Sequence, residues 1–174
     1  GMSGCALFVS PDVKRGDQQL AAERWEEAIL AYKQALKDDP FNPSLQGKYG
    51  LARERAAATY AERGWTFLKE KQIDLALQEF KRALAINPSS TDYQAGFMQA
   101  TRVKESRSQY REAERLAQLG RVEEAMSGFA RAAELDPTYQ EALENITRLT
   151  EVQQGFARDE RTRQPVTLKF KNAG

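Results

Sequence analysis

The sequence contains no histidine and only one cysteine among its 174 residues. Histidine is the most common general base and metal ligand near neutral pH, so its absence disfavours a catalytic centre or a zinc site. One cysteine cannot form an intramolecular disulfide, which excludes a disulfide-rich scaffold. These absences favour a binding or scaffold role over catalysis, and we expect no catalytic residues, no metal and no cofactor.

Neither strong charge nor a long apolar run is present. The 26 Lys and Arg residues nearly balance the 25 Asp and Glu residues, which gives a formal charge of +1. This balance argues against the basic surface of a nucleic-acid binder, so we expect a protein partner. No stretch of about 18 apolar residues occurs, and nothing predicts a membrane-spanning helix. Adjacent acidic pairs such as Glu26 and Glu27 point to different helix faces and do not form an acid–base pair.

Three segments of the sequence align without gaps. Each has an alanine, an aromatic residue four positions later, a second alanine three positions after that, and a proline five positions further on. The three sets are Ala28, Tyr32, Ala35 and Pro40; Ala76, Phe80, Ala83 and Pro88; and Ala125, Phe129, Ala132 and Pro137. The first three residues of each set share one helix face, where small alanines let another helix approach. The Asp-Pro or Asn-Pro step predicts that one helix stops and the next one starts there.

This pattern resembles the tetratricopeptide repeat (TPR), a helix-turn-helix unit, over most of residues 9–150. The first helix of that repeat also carries a small residue. Gly16, Gly64 and Ala113 lie twelve residues before the first alanine of each segment, as the resemblance requires. The resemblance implies an all-α solenoid of helical hairpins that binds other proteins.

The spacing of the segments departs from the family. Successive prolines are 48 and 49 residues apart, whereas an ordinary TPR repeats about every 34 residues. The excess is close to four helical turns, so the apolar face stays in register if the first helix of each later unit is lengthened to about 28 residues. We therefore predict about seven helices, the last one running from Pro137 to beyond Phe156. Gly47, Gly50 and Gly96 fall inside the long helices and indicate either a close helix crossing or a kink.

In the TPR family the first helix of each hairpin lines a groove that holds the partner. On this basis the candidate groove residues are Trp65, Arg107, Tyr110 and Arg111. Arg107 and Arg111 occupy positions where chaperone-binding members carry two cations that clamp a terminal carboxylate. The first hairpin has Val13 and Asp17 where that clamp needs Lys and Asn, so the clamp is not expected here. Trp65 is also compatible with simple core packing.

The start of the sequence contains a second resemblance. Gly1 before Met2 has the character of a tag remnant. Ser3-Gly4-Cys5 is similar to the end of a bacterial lipobox, although Met2 takes the place of the usual Leu. If Cys5 is lipidated, residues 1–9 are a tether and the protein lies at the periplasmic face of the bacterial outer membrane. Otherwise the cysteine is incidental and the protein is cytoplasmic.

The end of the sequence predicts a short strand after the helical repeat domain of residues 10–160. Val166, Leu168 and Phe170 alternate with polar residues, which is the pattern of a strand with one apolar face. A single strand is not stable without partners, so this one is either a tail or the first strand of a truncated domain. The segment Pro165 to Ala173 resembles the opening of the small α/β domain found in bacterial secretins and TonB-dependent receptors. Residues 161–174 are thus predicted to be a linker and that first strand.

Three functional hypotheses follow from these features. The first is a periplasmic scaffold that forms part of an outer-membrane secretin of a type II secretion or type IV pilus system. The second is a self-standing TPR lipoprotein, similar to a pilotin or an outer-membrane assembly factor. The third is a cytoplasmic TPR adaptor. The gene sequence beyond residue 174 would separate the first hypothesis from the second.

Overall fold

Seven helices form the part of the chain that the structure describes. The structure is a computed structural model, and it describes the backbone of residues 10–171 and the side chains of residues 10–161. The helices are α1 (Pro11–Ala21), α2 (Trp25–Asp38), α3 (Pro43–Lys69), α4 (Ile73–Ile86), α5 (Thr91–Gln118), α6 (Val122–Leu135) and α7 (Gln140–Lys171). The predicted all-α fold of packed helical hairpins is confirmed for these residues.

The chain divides into two compact units, Gly1–Ala100 and Thr101–Gly174. The first unit contains α1 to α4 and the beginning of α5. The second contains the rest of α5 together with α6 and α7.

The long first helices are present as the repeat spacing predicts. Helix α3 has 27 residues and α5 has 28. In the first unit, Leu45 and Ala52 in the first half of α3 belong to the core that contains Tyr32 of α2. Tyr60 in the second half belongs to the core that contains Phe80 of α4. The lengthened helix therefore supplies one packing face to each of two successive hairpins.

The glycines of the long helices have two different roles. A Cβ built on Gly96 would lie 2.3 Å from Cε1 of Phe80, so α5 crosses α4 closely at this point. A Cβ built on Gly47 or Gly50 would meet no atom within 4 Å. Both helices run through their glycines without interruption. The close crossing is therefore confirmed at Gly96 alone among these three.

The turns inside the hairpins share one backbone geometry. Glu23, Lys71 and Gly120 each have a positive φ, of 58°, 63° and 75°. The amide of the following residue donates to a carbonyl five positions back, as in the hydrogen bond from Arg24 N to Gln19 O at 2.9 Å. This is the helix-ending motif that favours glycine, because glycine adopts a positive φ without a steric cost. Only the third hairpin has glycine there, so the first two turns were not predictable from a glycine in the sequence.

The turn before α7 corrects the predicted start of that helix. The chain from Asp136 to Tyr139 forms a β-turn in which Tyr139 N donates to Asp136 O at 3.0 Å. Pro137 therefore occupies the second position of a turn, which its fixed φ suits as well as it suits a first helical turn. Helix α7 begins at Gln140 rather than at Pro137. The equivalent turn after α2 precedes α3, which begins at Pro43 as the sequence predicts.

A polar cluster ties the first three helices together. The hydroxyl of Tyr32 donates to Oδ1 of Asp17 at 2.7 Å, and Lys48 Nζ lies 2.7 Å from both oxygens of the same carboxylate. Burial opposes ionisation of Asp17, but the hydrogen bonds from Lys48 and Tyr32 outweigh it and hold its pKa below the ordinary value. Asp17, which stands where the carboxylate clamp needs Asn, thus has a structural role.

The second unit has its own core. Ala113 of α5 packs with Ala125 and Phe129 of α6, and Ile146 and Leu149 of α7 cover this cluster. Further along α7, Val152 and Phe156 are exposed, by 44% and 69%. The core contact of α7 among the described side chains therefore lies in its first half.

The tether of residues 1–9 with Cys5 lies outside the described residues and stays a prediction. Within residues 161–174, the strand predicted for Val166, Leu168 and Phe170 is not present in the described backbone, because α7 continues to Lys171. The proposed boundaries of the domain at residues 10–160 also stay a prediction. In the described part of the chain, no helix is both long enough and apolar enough to cross a bilayer.

Candidate functional site

An open groove of about 570 Å³ lies between α3 and the beginning of α5, within the first unit. Helix α3 provides its floor with Gly50, Glu54 and Ala58, which are four residues apart and therefore lie in one row. Tyr93 of α5 forms the opposite wall, and Ile86 at the end of α4 closes one side.

The groove exists because α3 is longer than the helix that packs against it. Helix α4 has only 14 residues and ends at Ile86. Arg53 of α3 marks this point, since its Nη2 donates to the carbonyl oxygen of Ile86 at 3.1 Å. Gly50, three residues before Arg53, has no side chain, so the floor of the groove at this point is helix backbone. The lengthening that the repeat spacing predicts thus leaves a recess beside α3.

The groove combines apolar surface with charge. Leu51, which is 42% exposed, and Ala58 offer apolar contacts beside the half-buried ring of Tyr93. Burial, together with the carboxylates of Asp92, Glu54 and Glu62, raises the pKa of Tyr93. A mixture of aromatic, aliphatic and charged side chains is typical of protein-binding surfaces.

Trp65, one of the predicted groove residues, packs against the core of the first unit. Its ring meets the ring of Phe80 edge-on, with centroids 5.1 Å apart and planes at 79°. It is half-buried and does not line the groove between α3 and α5. Its geometry matches the core-packing alternative that the sequence left open.

Arg107 and Tyr110 lie together in the second unit. The guanidinium carbon of Arg107 is 3.3 Å from the ring centroid of Tyr139, and its Nη2 is 3.3 Å from Oδ2 of Asp136. The rings of Tyr110 and Tyr139 have centroids 4.8 Å apart, and the Tyr110 hydroxyl accepts a hydrogen bond from Asn145 at 2.9 Å. Arg107 is therefore engaged by its own unit, and Arg111 beside it is exposed.

Sequence reasoning did not identify the groove residues. The four-residue spacing of Gly50, Glu54 and Ala58 is visible in the sequence, but it marks a helix face and not a groove. Tyr93 becomes their neighbour only because α5 packs beside α3. Gly50 is the one local signal that could have indicated this surface. A side chain would fit at this position, and its absence leaves the helix surface uncovered.

A smaller recess of about 260 Å³ lies between the start of α2 and the middle of α3. Tyr60 closes part of it by donating a hydrogen bond to Glu26. Burial and this hydrogen bond raise the pKa of Tyr60 to about 12, so the phenol stays protonated at neutral pH. Because these two polar groups of the recess bind each other, the recess is a weaker candidate for a binding site than the larger groove.

Comparisons with known proteins agree with the hairpin pattern. The family model described as "Tetratricopeptide repeat" matches residues 57–90. No curated protein matches the sequence. Among solved structures, the TPR domain of OM64 from Arabidopsis is 20% identical, with 80% of this chain and 92% of that chain covered and a TM-score of 0.25.

Two further structures give similar values. The MamA protein is 20% identical, with 87% of this chain and 85% of that chain covered and a TM-score of 0.29. The first TPR domain of human RPAP3 is 21% identical, with 86% and 93% covered and a TM-score of 0.23. Residues 57–90, which form the second half of α3 and its hairpin with α4, thus match the tetratricopeptide repeat.

Proposed function

We propose that this chain is a protein-binding scaffold and that the groove between α3 and α5 holds a segment of the partner. The observation that carries the proposal is the uncovered face of α3 beside a tetratricopeptide repeat, with the open groove of about 570 Å³ along it. The residues that line the groove come from helices of one packed core, so the surface is fixed before a partner binds.

The size of the groove suits a short peptide segment. From Gly50 to Ala58 the axis of α3 rises about 12 Å at 1.5 Å per residue. An extended chain covers that distance with about four residues at 3.3 Å each. The partner segment would place apolar side chains against Leu51, Ala58 and Tyr93.

Filling the groove with a side chain from α3 should abolish binding. Gly50→Phe introduces a large ring where a Cβ meets no atom within 4 Å, so the helix should fold normally and the groove should be obstructed. We expect at least a tenfold loss of affinity for peptides selected on the wild-type protein from a random phage-displayed library. Fluorescence polarisation with labelled synthetic peptides measures the affinity.

The matched control is Gly47→Phe. Gly47 lies on the same helix and is also open around its Cβ position, but it does not line the groove. This variant should bind the selected peptides as the wild type does. If both variants bind equally well, the groove is not the binding site.

For the cellular setting, we propose the periplasmic face of a bacterial outer membrane, with the chain acting as part of a secretin of a type II secretion or type IV pilus system. Support comes from the lipobox-like Ser3-Gly4-Cys5 and from the secretin-like segment Pro165 to Ala173. A self-standing TPR lipoprotein and a cytoplasmic adaptor are the alternatives from the same sequence.

Lipid labelling tests this setting. We expect a radiolabelled fatty acid to be incorporated when the full native gene is expressed in a bacterium, and the label to be absent from the Cys5→Ser variant. Membrane fractionation of both proteins checks the result. An unlabelled wild-type protein in the soluble fraction would favour the adaptor.

A further inference from the structure

The second unit fills the place that is open as a groove in the first unit. Arg107 of α5 lies eighteen residues before Ala125, just as Ala58 of α3 lies eighteen residues before Ala76. Ala58 lines the groove, and Arg107 is its counterpart in the repeat. The same position of two long helices thus carries a small side chain in one unit and a large one in the other.

A pair of arginines shows that this correspondence holds in space as well as in sequence. Nη2 of Arg53 on α3 donates to the carbonyl oxygen of Ile86 at the end of α4, at 3.1 Å. Its counterpart Arg102 on α5 has Nη2 3.5 Å from the carbonyl oxygen of Glu134 at the end of α6. In both units the long helix is therefore fixed in the same way against the end of the helix that follows it.

Arg107 shows which kind of group this place accommodates. Its guanidinium carbon lies 3.3 Å from the ring centroid of Tyr139, and its Nη2 lies 3.3 Å from Oδ2 of Asp136. Asp136 is buried and is the residue at which α6 ends. A planar group thus lies against an aromatic ring, beside the end of a helix that supplies a carboxylate.

The open groove of the first unit suits a planar group without charge. Asn87, at which α4 ends, stands where the second unit has Asp136, so the matching carboxylate is missing. The arginines Arg53 and Arg55 line the groove against the single carboxylate of Glu54 among its described lining residues. A further cation would find no free partner there, because like charges repel each other.

We infer that the groove binds an aromatic side chain of the partner segment, which lies over Ala58 against Tyr93, in the place that Arg107 fills in the second unit. Aromatic rings attract one another in offset and edge-on arrangements, and aromatic side chains commonly anchor protein interfaces. Leu51 and Ile86 extend the apolar surface around this place. The inference rests on the proposed function and names the residue type that the groove selects.

A selection experiment tests this preference. Random 12-residue peptides displayed on phage are selected on the wild-type protein, and those that also bind Gly50→Phe are discarded. We expect the remaining peptides to share a Phe, Tyr or Trp at one position. Exchange of that residue for alanine or for arginine should weaken binding about tenfold, measured by fluorescence polarisation, because one anchor often carries much of the binding energy.

The variant Asn87→Asp tests whether the place is the one that Arg107 fills. It gives the groove the carboxylate of the second unit, so binding of the arginine-substituted peptide should improve about threefold. The matched control Gln34→Glu adds the same charge at an exposed position of α2 outside the groove and should bind every peptide as the wild type does. Circular dichroism confirms that both variants fold.

The outcomes separate the inference from the proposed function. Groove-dependent peptides without a shared aromatic residue would overturn the inference and leave the groove as the binding site. The same holds if Asn87→Asp does not improve binding of the arginine-substituted peptide. If no selected peptide is sensitive to Gly50→Phe, the proposed function fails, and the inference fails with it.

Discussion

Replacing Phe80 by alanine is expected to lower the free energy of unfolding by about 3–5 kcal/mol. The Phe80 side chain is fully buried in the core that α3, α4 and α5 form in the first unit. It lies between Gly64 and Gly96 and meets the edge of Trp65. Removing its ring leaves a cavity that backbone cannot fill, because two of its neighbours have no side chain. Urea unfolding followed by circular dichroism measures the change.

Phe41 provides the matched control for this substitution. It lies in the turn before α3 and is 87% exposed, so Phe41→Ala should change the free energy of unfolding by less than about 0.5 kcal/mol. Since the free energy of unfolding of a domain is only about 5–15 kcal/mol, the difference in stability between the two variants should be easy to measure. A loss below 1 kcal/mol for Phe80→Ala would contradict the packing described for this core.

Replacing glycine by alanine should change the free energy of unfolding in opposite directions at Gly96 and Gly50. At Gly96 a Cβ would lie 2.3 Å from Cε1 and 2.5 Å from Cζ of Phe80. Overpacking of this kind costs about 1–3 kcal/mol, which exceeds the gain of up to about 1 kcal/mol from better helix propensity. A Cβ built on Gly50 would meet no atom within 4 Å, so only the gain in helix propensity remains and Gly50→Ala should be more stable than the wild type.

A double-mutant cycle shows whether Phe80 causes the difference. In a Phe80→Leu background the ring is absent, so Gly96→Ala should cost less than it does in the wild-type protein. The unfolding free energies of the four proteins are measured by urea denaturation. Equal costs in both backgrounds would show that the ring of Phe80 is not what Gly96 accommodates.

The repeat pattern predicted much of the fold because each signal was local. The alanine and aromatic residues of α2, α4 and α6 mark a face with helical spacing, and the excess spacing between prolines predicted the length of α3 and α5. The start of α7 was predicted less well. Proline fits both a helix start and a β-turn, and hydrogen bonds such as that from Tyr139 to Asp136 decide between them. Glu23 and Lys71 have a positive φ although neither is glycine, so their conformation could not be predicted from residue type.

The candidate site was harder to predict than the fold. Tyr93 and Glu54 are distant in sequence, and their shared groove depends on how α5 packs beside α3. Arg107 was predicted from its position in a repeat, but that position does not reveal the ring of Tyr139 beneath it or Asp136 beside it. Side chains that contact each other across elements decide whether such a cation is available to a partner.

The continuous α3 has a consequence for how the first unit unfolds. In arrays of separate repeats each repeat contacts only its neighbours, and end repeats can open one at a time. Here one helix contributes Ala52 to the first core and Tyr60 to the second without a turn between them. Loss of the first hairpin alone would expose the packed face of half of α3, which makes separate opening of that hairpin costly. Amides along the whole of α3 should therefore exchange with solvent as one cooperative group.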